Sequence, residues 1–236
     1  QLGQHFLKCR IVEKLQAIYS QPILLNEHFH LWLLAESTLG SLIGDDNVIF
    51  LQVDDAIRLS ILLRGALLHE QNMNVDHMLM PRFSTLSDEI YPELDNNQAS
   101  LQALIQLIDK HLPKNFEMDD EHLKEAKISH FCEQVEAKNP TALAILEHIS
   151  SNLAYMLMNL VNIFSTEKIL FDSPLLRIKA PLFEQITQKL NEKMLNRDLN
   201  MQLVTSHFDK NSTLIPCAMI KQGIYEGSLI KNIIPD

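Results

Sequence analysis

The alternation of apolar and polar residues divides the chain into segments with the periods of helices and of strands. Apolar residues recur at helical spacing in the segments 5–19, 28–39, 100–112, 119–137, 140–164, 181–195 and 214–225. Short apolar runs predict strands at 23–25, 47–53, 57–63, 66–69, 168–171 and 201–204. The strands that flank Asp54 and Asp55 are expected to pair as an antiparallel hairpin. The second half alternates helix and strand, which predicts an α/β fold with parallel strands joined by helices.

The segment 140–164 predicts the most deeply buried helix of the chain. Asn139 is a favourable N-cap, and Pro140 suits the first helical position because its missing N–H has no partner there. The apolar residues of this segment cover more than half of the helix circumference. A helix of this pattern is buried on most of its sides.

Composition narrows the class of protein. The 236 residues are 46% hydrophobic, which is enough for a packed core in one large domain or two small ones. The net charge of −10 argues against this segment binding a DNA backbone by itself, although another part of a longer protein could do so. No apolar run reaches about 18 residues without a polar break, so no membrane span is predicted. Three separated cysteines without a CxxC pair fit a reducing cytoplasm.

Glycine usage weakens any hypothesis of a nucleotide site. The chain has six glycines, and no two of them are spaced as GxG. Loops that hold phosphates need closely spaced glycines so that the backbone can approach the ligand. The chain also begins at Gln1 rather than Met, from which we expect a portion of the protein to precede it.

Several motifs resemble those of the ROK family, which contains sugar kinases and sugar-responsive repressors. Residues 159–175 have the sequence NLVNIFSTEKILFDSPL, which is similar to the family segment NLFNPxxIxIGG. Residues 139–150 match the preceding helix GDxLAxxII, and residues 206–229 match the closing GAxALVKxAMxNGxLL. Upstream, LWLLAE at 31–36, followed by Gly40, matches AxxLAExxFG. The resemblance is closest to the NagC-like branch of transcriptional regulators.

The resemblance implies an actin-like, ribonuclease-H-like α/β fold, mainly its C-terminal lobe. Residues 1–27 would be a remnant of the N-terminal lobe, with residues 218–236 packing back on it. Residues 28–217 would form the C-terminal effector and oligomerisation domain. The implied protein is a cytoplasmic, homodimeric regulator with a sugar or sugar-phosphate effector. It would bind DNA only through a helix-turn-helix domain that precedes Gln1.

Two family motifs needed for sugar phosphorylation are altered. The position of the kinases' general base, an aspartate at the start of the helix before the Ala-Glu pair, is His28. The glycine turn that faces nucleotide phosphates is replaced by residues 54–60, which begin with two aspartates. Asp54 and Asp55 could form a cation site, but adjacent strand residues point to opposite faces, so a solvated turn is favoured. We therefore predict no catalytic residue, and for Glu36 only a structural role in its helix.

The family's ExGH motif, which contacts the sugar and supplies one zinc-binding histidine, has its best match at residues 74–77. Only His77 is retained, and no cysteine follows within residues 81–92. Tetrahedral zinc needs about four nitrogen or sulfur ligands, so we predict neither zinc nor another cofactor. Cys132 and Cys217 are expected to be small buried hydrophobes. If sugar binds, the matched positions make Asn26, His28 and His77 the candidate contacts.

Two alternatives from other functional classes stay open at the sequence level. One is an active ROK kinase that acts on an N-acylhexosamine or a hexose. The other is a degenerate scaffold that keeps the fold as a dimer and binds no ligand. A helix-turn-helix upstream of Gln1 would indicate the regulator, whereas a phosphate loop there would indicate the kinase.

Overall fold

A computed structural model describes residues 10–21, 23, 25–68, 75, 78, 81, 85–88, 98–116, 120–166, 168–193, 201–225, 227 and 229. The chain forms two compact units, one of residues Asp46–Thr205 and one that combines Gln1–Asp45 with Ser206–Asp236. His77 and most of the segment around it lie outside the described residues, so the predictions made there stay predictions.

A five-stranded sheet lies in the unit Asp46–Thr205. Its strands are β1 (Val48–Val53), β2 (Ile57–Leu63), β3 (Ala66–Leu67), β4 (Lys168–Asp172) and β5 (Gln202–Val204), in the order β3-β2-β1-β4-β5. β1 and β2 form the predicted antiparallel hairpin, in which Val53 faces Ile57 next to the turn. β1 pairs parallel with β4, and β4 with β5, which confirms the predicted parallel strands. The short strand predicted at 23–25 is wrong, since Ile23 and Leu25 are not extended in a sheet.

The described helices begin and end close to where the apolar periodicity places them. They are α1 (His28–Leu39), α2 (Leu101–His111), α3 (Asp120–Glu136), α4 (Pro140–Phe164), α5 (Lys179–Lys193) and α6 (Leu214–Tyr225). Residues 10–16 are also helical, and 3-10 helices occupy Thr85–Asp88 and Pro174–Ile178. Among the described residues, no helix is long and apolar enough to cross a bilayer.

The long helix α4 contributes many buried residues to the core of its unit. The Asn139 side chain accepts hydrogen bonds from the backbone amides of Thr141 at 2.9 Å and Ala142 at 3.3 Å, so the predicted N-cap is confirmed. The helix ends at Phe164, and its C-cap residue Ser165 is in the left-handed conformation, with φ at 51°. α4 packs against α5 and also contacts α2 and α3. Burial on several sides follows from its broad apolar surface.

The other unit is built around the packing of α1 on α6. Because this packing joins residues 28–39 to residues 214–225, the compact units divide at 45/46 and 205/206. The sequence placed the lobe boundaries elsewhere, at 27/28 and 217/218. The assignment of the units to family lobes therefore stays a prediction.

Candidate functional site

The carboxyl ends of β1, β4 and β5 lie at one edge of the sheet because the three strands run parallel. In open α/β sheets this edge is where ligands bind. Gln52 donates a hydrogen bond of 2.8 Å from Nε2 to Oδ2 of Asp172, across the ends of β1 and β4. After β5, Thr205 Oγ1 accepts from Lys179 Nζ at 3.1 Å. These polar side chains at the edge are therefore paired with one another.

The turn between β1 and β2 is held by a lysine from α3. Lys124 Nζ lies 2.8 Å from Asp54 Oδ1 and 2.5 Å from Asp55 Oδ1. The Asp54 carbonyl accepts from the backbone amide of Leu101, the first residue of α2, at 3.0 Å. The turn is solvated as expected, since the Asp54 and Asp55 side chains are 37% and 59% exposed, but the expected divergence of the two carboxylates is wrong. Both aspartates reach one ammonium because they lie in the turn, where strand alternation no longer applies.

The electrostatics of this turn are unsuited to phosphate. Partial burial acts to lower the pKa of Lys124, but the hydrogen bonds and charges of Asp54 and Asp55 outweigh it and raise that pKa. The lysine is therefore charged and already engaged by two carboxylates. The amide of Asp54 donates to the Ala56 carbonyl at 3.3 Å, so it is not directed at a ligand. This arrangement offers an incoming anion carboxylate oxygens rather than converging amides.

Asn26 and His28 lie together at the start of α1. The Asn26 side chain accepts from the Glu27 amide at 2.7 Å, which fixes its oxygen beside the first helical turn. His28 is exposed, and its ring meets the Trp32 ring edge-on at a centroid distance of 5.9 Å. His30 is half-buried, with Nε2 3.7 Å from Glu27 Oε2. His77, the third candidate contact, lies outside the described residues, so the grouping of all three stays a prediction.

The cysteines differ in their surroundings. Cys132 is buried on α3, as expected, and burial raises the pKa of its thiol to about 11. Cys217 is exposed on α6, so its expected burial is wrong. The reason is that α6 buries only its face around Ile215 and Ala218. Within the part of the chain that the structure describes, no group of three or more His, Cys, Asp or Glu residues could hold a metal ion.

The amino ends of the parallel strands carry an open groove of about 410 Å³. It is lined by Asn47, Leu63, Arg64, Ile163, Phe164 and Ser165. Ile163 is 70% exposed, and the Arg64 amide donates to Asn47 Oδ1 at 2.9 Å. None of the residues singled out from the sequence as site residues lines this groove.

Glu36 is the residue whose surroundings the sequence indicated least. It is fully buried on α1, and its carboxylate accepts hydrogen bonds from Ser41 and from the segment 206–208. The available signal was a single acidic residue at the end of the apolar run LWLLA. That run predicts burial of the helix, but it does not reveal partners 170 residues away in sequence.

Comparison with known proteins identifies relatives of this architecture. The model of the ROK family matches residues 5–222. The DNA-binding transcriptional repressor Mlc of Escherichia coli K12 is 21% identical over 228 residues, which cover 94% of this chain and 55% of that protein. This chain thus spans about half the length of that curated relative.

Solved structures give the same picture. A ROK family transcriptional regulator, a homologue of E. coli Mlc, superposes with a TM-score of 0.68 at 23% identity, over 86% of this chain and 52% of that one. A ROK hexokinase from Thermus thermophilus superposes with a TM-score of 0.70 at 14% identity, over 88% and 68%. The expected actin-like ATPase fold is confirmed by these likenesses. Since the two structures are a regulator and a kinase, the fold alone does not assign an activity.

Proposed function

Because this chain belongs to the ROK family, we propose that it is the non-catalytic effector and oligomerisation part of a sugar-responsive transcriptional regulator. The observation that carries the proposal is the β1–β2 turn, where Lys124 is engaged by Asp54 and Asp55. In the family's kinases the corresponding glycine turn faces the nucleotide phosphates. Enzymatic phosphoryl transfer depends on positioning and on stabilising negative charge, and two carboxylates at this place oppose both.

A second, independent departure from the kinases supports the same proposal. The position of the general base is taken by His28, which is exposed and packs against Trp32. A kinase would need both the base and the phosphate-binding turn. The altered turn and the altered base lie in different units of the chain, so one loss does not explain the other.

The test of this proposal is ATP turnover with N-acetylglucosamine, N-acetylmannosamine and glucose. We expect none above the rate without sugar. The matched variants are His28→Ala and His30→Ala, two histidines of the first turn of α1, of which only His28 occupies the position of the base. Turnover that His28→Ala abolishes and His30→Ala retains would show that the chain is a kinase.

We also propose that any effector is a sugar or a sugar phosphate, bound weakly or not at all. The candidate contacts are Asn26, His28 and His77, which occupy the matched positions of the family motifs. Calorimetry with N-acetylglucosamine and its 6-phosphate measures the affinity. A micromolar affinity that is lost in His77→Ala would identify an intact sensor and contradict the expected weak binding.

The remaining parts of the proposal concern partners and metal. DNA would be bound by a separate domain of a longer cytoplasmic protein, since this chain carries a net charge of −10. Homodimer formation would use apolar packing, which tolerates the loss of polar ligand contacts. Light scattering tests the dimer, and a monomer at tens of micromolar would count against it. Elemental analysis tests the expected absence of zinc, and one zinc per chain after chelation would contradict that expectation.

A further inference from the structure

The carboxylate of Glu36 is buried, and its hydrogen-bond donors among the described residues are neutral amides and hydroxyls. Glu36 is 0% exposed. Its Oε1 accepts from the backbone amides of His207 at 2.6 Å and Phe208 at 3.1 Å, and from the Ser206 hydroxyl. Its Oε2 accepts from the backbone amide of Ser41 at 2.8 Å and from the Ser41 hydroxyl at 2.7 Å.

This donor set surrounds both oxygens of one carboxylate. Two successive amides, those of His207 and Phe208, converge on one oxygen, which is the geometry of a backbone nest for anions. The Ser206 hydroxyl is itself held in place, since it accepts from Trp32 Nε1 at 2.7 Å and from the Phe208 amide at 3.0 Å. A buried charge is costly unless hydrogen bonds replace its hydration, and here they approach both oxygens.

We propose that the amides of Ser41, His207 and Phe208, with the hydroxyls of Ser41 and Ser206, form a carboxylate-binding nest whose built-in ligand is Glu36. The nest takes one carboxylate or another monoanion of the same size, such as formate. When Glu36 occupies the nest, it holds the end of α1 against the segment 206–208 that leads into α6, and we call this contact the latch. Both sides of the latch belong to one compact unit, and the proposal holds for a regulator and for a kinase alike.

The latch adds fixed polar contacts to the packing of α1 on α6, which joins two distant segments of sequence in one unit. The packing of α1 on α6 is apolar, and apolar packing alone tolerates sliding between helices. The Glu36 carboxylate adds directional contacts that fix where the segment 206–208 crosses the end of α1. Lys221 Nζ also donates to the Thr38 carbonyl at 2.8 Å. This bond joins α6 to α1 and does not involve the segment 206–208.

Chemical rescue tests the nest directly. The variant Glu36→Ala removes the carboxylate and leaves room for formate among the same five donors. We expect its melting temperature in the full chain to fall by about 5 °C or more. Formate should then raise it further than chloride of equal ionic strength does, and wild type should show no such preference. If the variant folds only with an added anion, the refolding yield in formate against chloride is the readout.

Two controls separate the nest from a general effect of cavities or salts. Leu33→Ala opens a cavity on the same helix, where Leu33 is fully buried but has no polar partner, and formate should not rescue it. Ser37→Ala removes the neighbouring hydroxyl, which bonds only the Leu34 carbonyl among its recorded contacts, and should change little. An equal response of Glu36→Ala and Leu33→Ala to formate would overturn the proposal.

Hydrogen exchange gives a second measurement that does not depend on rescue. Glu36→Gln keeps the size of the side chain but replaces one acceptor oxygen with an NH₂ group, which would face amide or hydroxyl donors. We expect the amides of Ser41, His207 and Phe208 to be protected in wild type. In Glu36→Gln the NH₂ group must face either Ser41 or the segment 206–208, so the amides on that side should exchange at least about tenfold faster. Unchanged exchange at all three amides would show that the carboxylate does not hold the segment.

Discussion

The side-chain nitrogen Nδ2 of Asn152 lies 3.3 Å from Nε2 of His148, one turn earlier on α4. The same nitrogen donates to the His148 carbonyl at 2.9 Å. His148 is 2% exposed and Asn152 is fully buried. Burial disfavours the charged imidazolium and lowers the pKa of His148 from 6.5 to about 4. A proton on Nε2 would in addition face the amide nitrogen of Asn152, which is itself a donor.

This pair predicts a loss of stability in mild acid. Because the folded pKa lies below the unfolded one, the unfolded state binds more protons between pH 6.5 and 4. The folded state is therefore unaffected by this group above pH 6.5 and is destabilised progressively below it. For His148 alone the free energy of unfolding should fall by about 2 kcal/mol at pH 5. Urea unfolding across this pH range, compared with His148→Gln, isolates the contribution.

The expected result is that His148→Gln unfolds with a flatter pH dependence than wild type between pH 6.5 and 5. His122→Gln, at an exposed position on α3, is the control and should keep the wild-type slope. Parallel curves for wild type and His148→Gln would show that the buried imidazole does not titrate as inferred.

The start of α4 gives a prediction about helix capping. Asn139 Oδ1 accepts from two backbone amides of the first turn, so Asn139→Ala should destabilise the chain by about 1 kcal/mol. Asn139→Asp keeps an acceptor at the same place and should retain most of the stability. The measurement is chemical denaturation of the three proteins under identical conditions. An alanine variant as stable as the aspartate variant would show that the cap adds nothing.

The fold was largely predictable because its signals are local. Apolar periodicity and the Asn139-Pro140 start predict α4 at the residues where the structure has it, and the β-rich runs around Asp54 predict the hairpin.

The candidate site was less predictable because its contacts are distant in sequence. Lys124 meets Asp54 70 residues away, and Glu36 meets Phe208 172 residues away. No spacing pattern along the chain predicts such pairs. The exposure of Cys217 was unpredictable for the same reason, because it depends on which face of α6 packs against α1.

The ion pairs of Lys124 with Asp54 and Asp55 at the β1–β2 turn should contribute little to the stability of the fold. Lys124 is 33% exposed, and Asp54 and Asp55 are 37% and 59% exposed, so solvent screens the pairs. We expect Lys124→Met to lower the free energy of unfolding by less than about 1 kcal/mol. The difference from wild type should shrink further in molar salt. Denaturation at low and high salt measures both, and a larger, salt-independent loss would indicate packing by the lysine stem instead.

The close approach of Gly40 to Glu36 gives a last prediction, which concerns the cost of steric crowding. A Cβ on Gly40 would overlap Glu36 Oε2, lie 2.9 Å from Cε2 of Phe208 and lie 3.0 Å from the Glu36 Cα. Gly40→Ala should therefore cost about 1–3 kcal/mol through overpacking. Gly44→Ala is the matched opposite, since a Cβ there meets nothing within 4 Å but φ is +89°.

A double-mutant cycle identifies the clashing atom of Glu36 as the source of that cost. In the Glu36→Ala background the carboxylate is gone, and the contacts with Phe208 and with the Cα of residue 36 remain. The cost of Gly40→Ala should then fall by at least about 0.5 kcal/mol, whereas the cost of Gly44→Ala should stay the same. Unfolding free energies of wild type, of the three single variants and of the two double variants that carry Glu36→Ala measure both differences. Additive costs at Gly40 and Glu36 would mean that the carboxylate moves aside at no expense, and its hydrogen bonds to Ser41 would then be too weak to hold it in place.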